Sequence, residues 1–519
     1  MKLQTALRLP VLLIFFLFAI SSLGRARSPG PAATSGASIA GRKDPRPAKL
    51  NCRIDRISPK DRHLSVNCLV STPPSSSLSV RFTDQFAGLD RLSERVFNLK
   101  IRDEKGGILP PEIHGDGLYL LKNSDHSPMI TIDYEIRLAR VLDPSQYALT
   151  SSLGPEAGSL MLNDLLPKIC ANEDGECETK PALVQIVPPA DWKIATTEKT
   201  EGDLFEVADP QGAVFFLGRL RERTIPVNSM RIKLAVAGAW SFRDDDILAL
   251  TEAIAREQAA IMESVEEGDF LVTLAPFPLP LTGLRSSALT VKRTVVLQLN
   301  ANDNPMQTFA HFRRHLAHEM FHFYLPNAFR VRENFDWFWE GFTRYIALLT
   351  IARLRLIGLR EYLNAIGEEY EAYAFNPSRT QVSLIAASPE KFANYASYDL
   401  VYRKGMLVAA LYDLELRWQS KGSHKVADVM RGLYQDYARH HLEVGNSEIL
   451  SALNRMGNFT ELIRNDIEGT REIAIIERIK PYGLVIEWSP ATRGKVSITK
   501  SSKLSARQRS LFEQLAIEK

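Results

Sequence analysis

HFRRHLAHEMFHFYLPNAFRVRENFDWFWEGFTRY, residues 311–345, decides how this chain is read. It holds His318-Glu319-Met320-Phe321-His322, a His-Glu-x-x-His pattern, and eighteen residues after His322 it holds Glu340. On a helix, residues i and i+4 lie on one face, one turn apart. His318 and His322 can therefore aim two imidazoles at one metal ion, with Glu319 beside them as a base and outside the ligand set. A catalytic zinc site takes three protein ligands and keeps a fourth position open. The pattern thus demands a third ligand, and Glu340 is the candidate. Its setting, WFWEGF, is too aromatic for a solvent-facing stretch.

Other histidine pairs compete on the same helix. His311 and His315 are also i, i+4, but no glutamate follows His311; His315 and His318 are i, i+3 and have Leu316 in the base position. Only 318/322 carries the whole pattern, so His311 and His315 are expected to pack or hydrogen-bond near the site. Phe309, Phe312, Leu316, Met320 and Phe323 recur on neighbouring turns and predict a helix over 306–325, stopping before Pro326. A second helix is expected from Asp336 to about Leu356. Glu333, Asn334 and Asp336 are candidates to accept the second N–H of the ligating histidines.

Upstream, residues 49–232 read as a β-rich domain. Short alternating runs such as Leu64–Val70, Met129–Leu138 and Ala182–Val187 are separated by Pro, Gly, Asp and Ser. Near residue 231 the pattern changes. Arg231–Ala237, Phe270–Leu274 and Thr294–Leu299 look like strands, and Asp244–Val265 has helical spacing opened by three aspartates. A catalytic α+β part is expected over 233–356. Residues 359–374, 399–420, 424–440, 447–455 and 459–467 make 357–475 mainly helical, and 476–519 form a small last segment.

The 519 residues suffice for three or four domains. With 45% hydrophobic and 24% charged residues the chain is of globular type. Its net charge of +3 gives no field for nucleic acid, and no nucleic-acid partner is expected. Lys2 and Arg8, the apolar run Leu9–Ile20, and the small residues Gly24 and Ala26 read as an export signal over 1–26. That run is short of the ~20 residues that span a bilayer, so a membrane contact is expected only if the signal is retained. The expected location is the periplasm or the exterior. Residues 27–48, rich in Ser, Pro, Gly and Ala, read as a flexible linker. Export permits disulfides. The spacing suggests Cys52–Cys68 across a hairpin and Cys170–Cys177 around a polar loop, although four cysteines allow three pairings.

The HEMFH helix, the eighteen-residue step and WEGFTRY resemble the gluzincin peptidases, first the glycyl-aminopeptidase family and more distantly the aminopeptidase-N family. Tyr402-Arg403-Lys404-Gly405, followed by MLVAALYDLELR, resembles the family's Tyr-x-Lys-Gly helix. The resemblance spans roughly residues 50–480. It implies an α+β multidomain fold: a β-sandwich-like N-terminal domain, then a thermolysin-like catalytic domain with a mainly helical C-terminal part. It implies one Zn²⁺ on His318, His322 and Glu340, Glu319 as general base and acid, Tyr402 as oxyanion donor, and a peptide or protein substrate. Tyr398, one turn earlier, is a second candidate donor.

Three departures stand out. The stretch matching the family's amine-binding segment is Thr282-Gly283-Leu284-Arg285-Ser286-Ser287, with Arg285 where an acid is expected. Gly283 and Arg285 are therefore the candidate substrate contacts, and an arginine there repels an ammonium and suits a carboxylate. FYLPNAFRV after His322 lacks the family's basic pattern, and 476–519 is too short for the full PDZ domain of many relatives. The expectation is an exported zinc peptidase with altered amine recognition. Its competitor is a non-catalytic scaffold that keeps the fold and the metal.

Overall fold

The computed structural model describes residues 50–72, 77–122, 127–138, 146–170, 181–263, 266–279, 281, 285–300, 304–488, 496–515 and 517. The expected signal 1–26 and linker 27–48, together with Gly283 and Cys177, lie outside the described residues. No helix among the described residues is long and apolar enough to cross a membrane.

Alternation builds the first part. Leu50–Ser58 buries Leu50, Cys52 and Ile54 and turns Asn51 and Arg53 outward, the period-two pattern of a strand with one face on a core. It pairs antiparallel with His63–Ser71 and parallel with Ala182–Ile186. The sheet has seven strands, in the order Lys199–Glu201, Leu204–Val207, Ala182–Ile186, Leu50–Ser58, His63–Ser71, Met129–Arg137, Val96–Asp103. Two four-stranded sheets share its core, where Leu78, Leu121, Leu160 and Phe215 join Ile54, Ile132 and Val184. Cys52 and Cys68 face each other across the first hairpin and are disulfide-bonded. Cys170 is also disulfide-bonded.

The sheet that carries the site has five strands, in the order Arg221–Val227, Met230–Val236, Gly268–Pro276, Thr294–Leu299, Ser286–Val291. The boundary expected at residue 232 therefore falls inside a strand, and the site-bearing sheet begins at Arg221. Alternation marks a strand without saying which sheet it joins. Met230–Val236 and Gly268–Pro276 are parallel neighbours joined through the helix Asp244–Met262, as a parallel pair requires a crossover. Thr294–Leu299 is buried throughout. Ser286–Val291 and Arg221–Val227 are the sheet's two antiparallel edge strands.

Helix Pro305–Phe321 packs on this sheet, and Asp336–Arg353, Leu359–Ala374 and Gly405–Gln419 join it in a second core. The last hairpin, Leu484–Trp488 with Val496–Lys500, and the helix Ala506–Leu515 bury Leu484, Ile498 and Phe512 in the same core. The segment 476–519 thus closes the helical part and does not stand apart from it.

Candidate metal centre

The motif helix Pro305–Phe321 is fixed at its start. The Asn304 side chain accepts from the N–H groups of Met306 at 3.0 Å and Gln307 at 3.4 Å, and Pro305 fills a position that needs no N–H. Phe312, Leu316 and Met320 are buried on one side. His311, Arg314, His315, His318 and Glu319 line a cavity of about 290 Å³ on the other. The helix ends at Phe321, earlier than the apolar spacing predicts. His322 Nδ1 lies 2.8 Å from the carbonyl of Leu325. A carbonyl can only accept, so Nδ1 holds the proton and the chain turns to supply the acceptor. None of Glu333, Asn334 and Asp336 takes that role. Glu333 accepts from the N–H of Asn446, Asn334 caps Asp336, and Asp336 pairs with Lys391.

With its proton on Nδ1, His322 turns the Nε2 lone pair inward. This Nε2 lies 3.1 Å from His318 Nε2, and Glu340 Oε2 lies 3.2 Å from the His318 atom and 3.5 Å from the His322 atom. Zinc bonds of about 2.0–2.1 Å in tetrahedral array put ligand atoms roughly 3.3 Å apart, so the three atoms fit zinc. Glu319 also lies within 4.8 Å of both imidazoles. Its Oε2, however, accepts from the Thr290 hydroxyl at 2.8 Å, which leaves the tighter triangle to Glu340.

Glu340 sits on the helix Asp336–Arg353, whose Trp337, Phe338 and Phe342 are fully buried. Its second oxygen accepts from Lys391 Nζ at 2.9 Å, and the same ammonium meets Asp336 at 2.6 Å. Burial alone would raise the Glu340 carboxyl; the ammonium and the two imidazoles outweigh it and hold the group well below the usual range. Lys391 is raised against its burial by Glu340 and Asp336. Burial lifts Asp336 despite Lys391. Burial lowers His318. It also opposes the charge on His322, but the bonded Glu340 prevails and raises that imidazole to about 8.

Tyr402 lies on a π-helical turn, Leu400–Lys404, between Tyr395–Asp399 and Gly405–Gln419. Such turns recur at functional sites. Its ring is 6.3 Å from that of His318 and 4.5 Å from that of Tyr398. Burial, then the charge of Glu340, raises its phenol well above the ordinary value, so it stays a donor. A close helix contact brings it there. A Cβ on Gly341 would lie 2.5 Å from Gly405 Cα, and one on Gly405 would lie 2.7 Å from the carbonyl of Trp337. The glycine of Tyr-x-Lys-Gly therefore permits the tyrosine helix to touch the glutamate helix.

His311 and His315 form a second cluster. Their Nε2 atoms lie 2.6 and 3.1 Å from Ser286 Oγ, and His315 Nδ1 lies 3.0 Å from the carbonyl of His311. Arg285 is exposed and is not among the cavity-lining residues; Ser286, Ser287 and Ala288 are. Arg314 and Arg344 are the guanidinium groups that do line it. Tyr398 lines it as well, 37% exposed.

No curated protein matches the chain. Among solved structures it is similar to an aminopeptidase N family protein from Idiomarina loihiensis, with TM-score 0.72 at 17% identity over 85% of this chain and 79% of that one. It is also similar to an M1 zinc metallopeptidase from Deinococcus radiodurans, with TM-score 0.52 at 14% identity over 82% of this chain and 95% of that one. A mutant of the latter, with TM-score 0.51, 14% identity and the same coverage, is solved bound to a Tyr-Ser-Ala substrate. The fold is thus aminopeptidase-like, with mixed sheets and helices in more than one domain. Residues 311–408, the stretch that carries both motif histidines, Glu319, Glu340 and Tyr402, match the family of M61 glycyl aminopeptidases, which bears out the resemblance drawn from the sequence.

Proposed function

We propose that this chain is an exported zinc peptidase of gluzincin type, aminopeptidase-like in architecture and altered in how it meets the substrate amine. The observation that carries the reading is the convergence of His318 Nε2, His322 Nε2 and Glu340 Oε2 at 3.1–3.5 Å, beside a cavity lined by His318, Glu319 and Tyr402. Zinc held by these three residues would lower the pKa of water from 15.7 toward about 7 and polarise the scissile carbonyl. Glu319, oriented by Thr290, takes the water proton and returns it to the leaving amine. The Tyr402 phenol donates to the developing oxyanion, a contribution of about 3 kcal/mol. The Leu325 carbonyl keeps His322 in the ligating tautomer, and Lys391 keeps Glu340 ionised. The apolar run after Lys2 and Arg8, and the Cys52–Cys68 disulfide, support export to an oxidising compartment.

The altered amine recognition rests on charge. Among the described lining residues the carboxylates are Glu319 and Glu369. Glu369 is already bound by Arg344 at 2.6 Å and by Arg403 at 3.0 Å. Neither is left for a substrate ammonium. The test compares Glu319→Ala with the parent on free, N-acetylated and C-amidated peptides. The reading predicts that the variant keeps zinc and loses hydrolysis, and that N-acetylated peptides are still cut by the parent. Undiminished hydrolysis by the variant contradicts the catalytic assignment; strict dependence on a free amine contradicts the altered recognition.

A further inference from the structure

We propose that the cavity beside the metal centre binds a carboxylate carried by the substrate, and that Arg314 anchors it. The proposal rests on the peptidase reading above and names the chemistry of its substrates. It starts from helical register. Arg314 precedes His318 by four residues on the motif helix, and Arg344 follows Glu340 by four on the next. Each arginine is thus displaced from a metal-ligating residue by about 6 Å along its helix, and both line the same cavity.

The arginines there are not all paired. Arg344 gives Nε and Nη2 to one oxygen of Glu369, at 3.0 and 2.6 Å. Arg403 takes the other oxygen at 3.0 Å and is also paired with Asp399. Two acids thus offset two arginines. Arg314 is the third cation, exposed and without a hydrogen-bonded or ion-paired partner among the described residues. The remaining carboxylate of the lining, Glu319, accepts from the Thr290 hydroxyl and is not paired with Arg314, and the histidine cluster supplies no anion. His315 Nδ1 donates to the His311 carbonyl, so its Nε2 accepts from Ser286, whose oxygen accepts in turn from His311 Nε2. Burial, then Arg314, pushes His311 down to about 4, so it is neutral at pH 7. A cavity of about 290 Å³ has room for one residue and not for a long segment. A planar guanidinium free on both edges is suited to a bidentate carboxylate. That carboxylate is either an Asp or Glu side chain or the C-terminus of the peptide.

The experiment uses the zinc-loaded full chain and peptides in matched pairs: Glu against Gln at each position in turn, and free acid against C-terminal amide. One pair is expected to differ at least about tenfold in kcat/KM in favour of the carboxylate. A Glu/Gln difference identifies the side chain, and an acid/amide difference the terminus. Arg314→Gln is expected to bring that ratio close to one, and Arg314→Lys to give an intermediate value. Binding of the same pairs to zinc-loaded Glu319→Gln, with and without Arg314→Gln, is read by calorimetry and needs no turnover. A carboxylate preference in binding without any hydrolysis by the parent defeats the peptidase reading and leaves the carboxylate site standing. Equal turnover and equal binding within every pair, or a preference that survives Arg314→Gln, overturns the site.

Discussion

Lys391→Met tests how the third metal-ligating residue is held. The side chain keeps its length and loses its charge. In the parent, one buried ammonium meets Glu340 Oε1 at 2.9 Å and Asp336 Oδ2 at 2.6 Å, and Asp336 Oδ1 has no partner. Lys391, Asp336 and Glu340 are all less than 10% exposed, so solvent cannot replace the lost bond. Removing one partner of a buried pair costs about 3–5 kcal/mol. That loss is expected in urea unfolding of the metal-free protein followed by tryptophan fluorescence. Adding Asp336→Asn removes one stranded carboxylate and should restore roughly 0.5–3 kcal/mol, the range of direct couplings. Glu340 supplies a pH signature. Its folded value lies below the ordinary 4.5, so its contribution is present above about pH 4.5 and fades as pH falls through the lower folded value. Without Lys391, burial dominates and the carboxyl titrates higher, so zinc is released at a higher pH on acidification. A Lys391→Met protein within about 1 kcal/mol of the parent, with unchanged acid release of zinc, refutes the reasoning.

Tyr402→Phe should lower kcat by about 10²–10³-fold with little change in KM, as expected for a donor that acts in the transition state; a KM effect alone would place the phenol in substrate binding. Zinc uptake should depend on pH through His322. Its pKa in the metal-free protein is raised to about 8, so at pH 7 zinc must displace a proton. Apparent affinity should rise about tenfold per unit up to pH ~8 and then level, which a chelator competition series measures; a flat response between pH 6.5 and 8 contradicts it. Gly341→Ala should destabilise the chain by about 1–3 kcal/mol, because its Cβ meets the Gly405 backbone at 2.5 Å. An ordinary helical glycine would instead gain about 0.5–1 kcal/mol on that change, so the sign alone decides.

The parts of the site that follow helical spacing are legible in the sequence. His318 and His322 declare themselves by register, and the aromatic setting of Glu340 marks a buried carboxylate. Tyr402 came from resemblance, and the Gly341–Gly405 contact supplies the physical reason for the glycine that follows it. Other parts have no local signature. Lys391 lies between two short helices, 51 residues after Glu340, and only the fold brings it there. The acceptor for His322 is a main-chain carbonyl, which every residue possesses and no sequence pattern marks. Thr290 resembles any other residue of an alternating strand. Arg285 is a candidate only through the resemblance of a short segment, and the edge strand puts its neighbours Ser286, Ser287 and Ala288 on the cavity instead. The arginines that do line it, 314 and 344, stand four residues from His318 and Glu340 on their helices, but they are not singled out in the sequence, because charge on a helix reads first as a solvated face.

The central claim is that His318, His322 and Glu340 hold a zinc ion that Glu319 uses to hydrolyse peptides. The most direct measurement adds zinc to the metal-stripped full chain while following peptide cleavage and bound metal together. Cleavage should rise in proportion to bound zinc, reach its limit at one equivalent, and stay at background in Glu319→Ala although that variant binds the same single equivalent. One equivalent of tightly bound zinc with no cleavage above the Glu319→Ala background would contradict the account and leave a metal-bearing scaffold in its place.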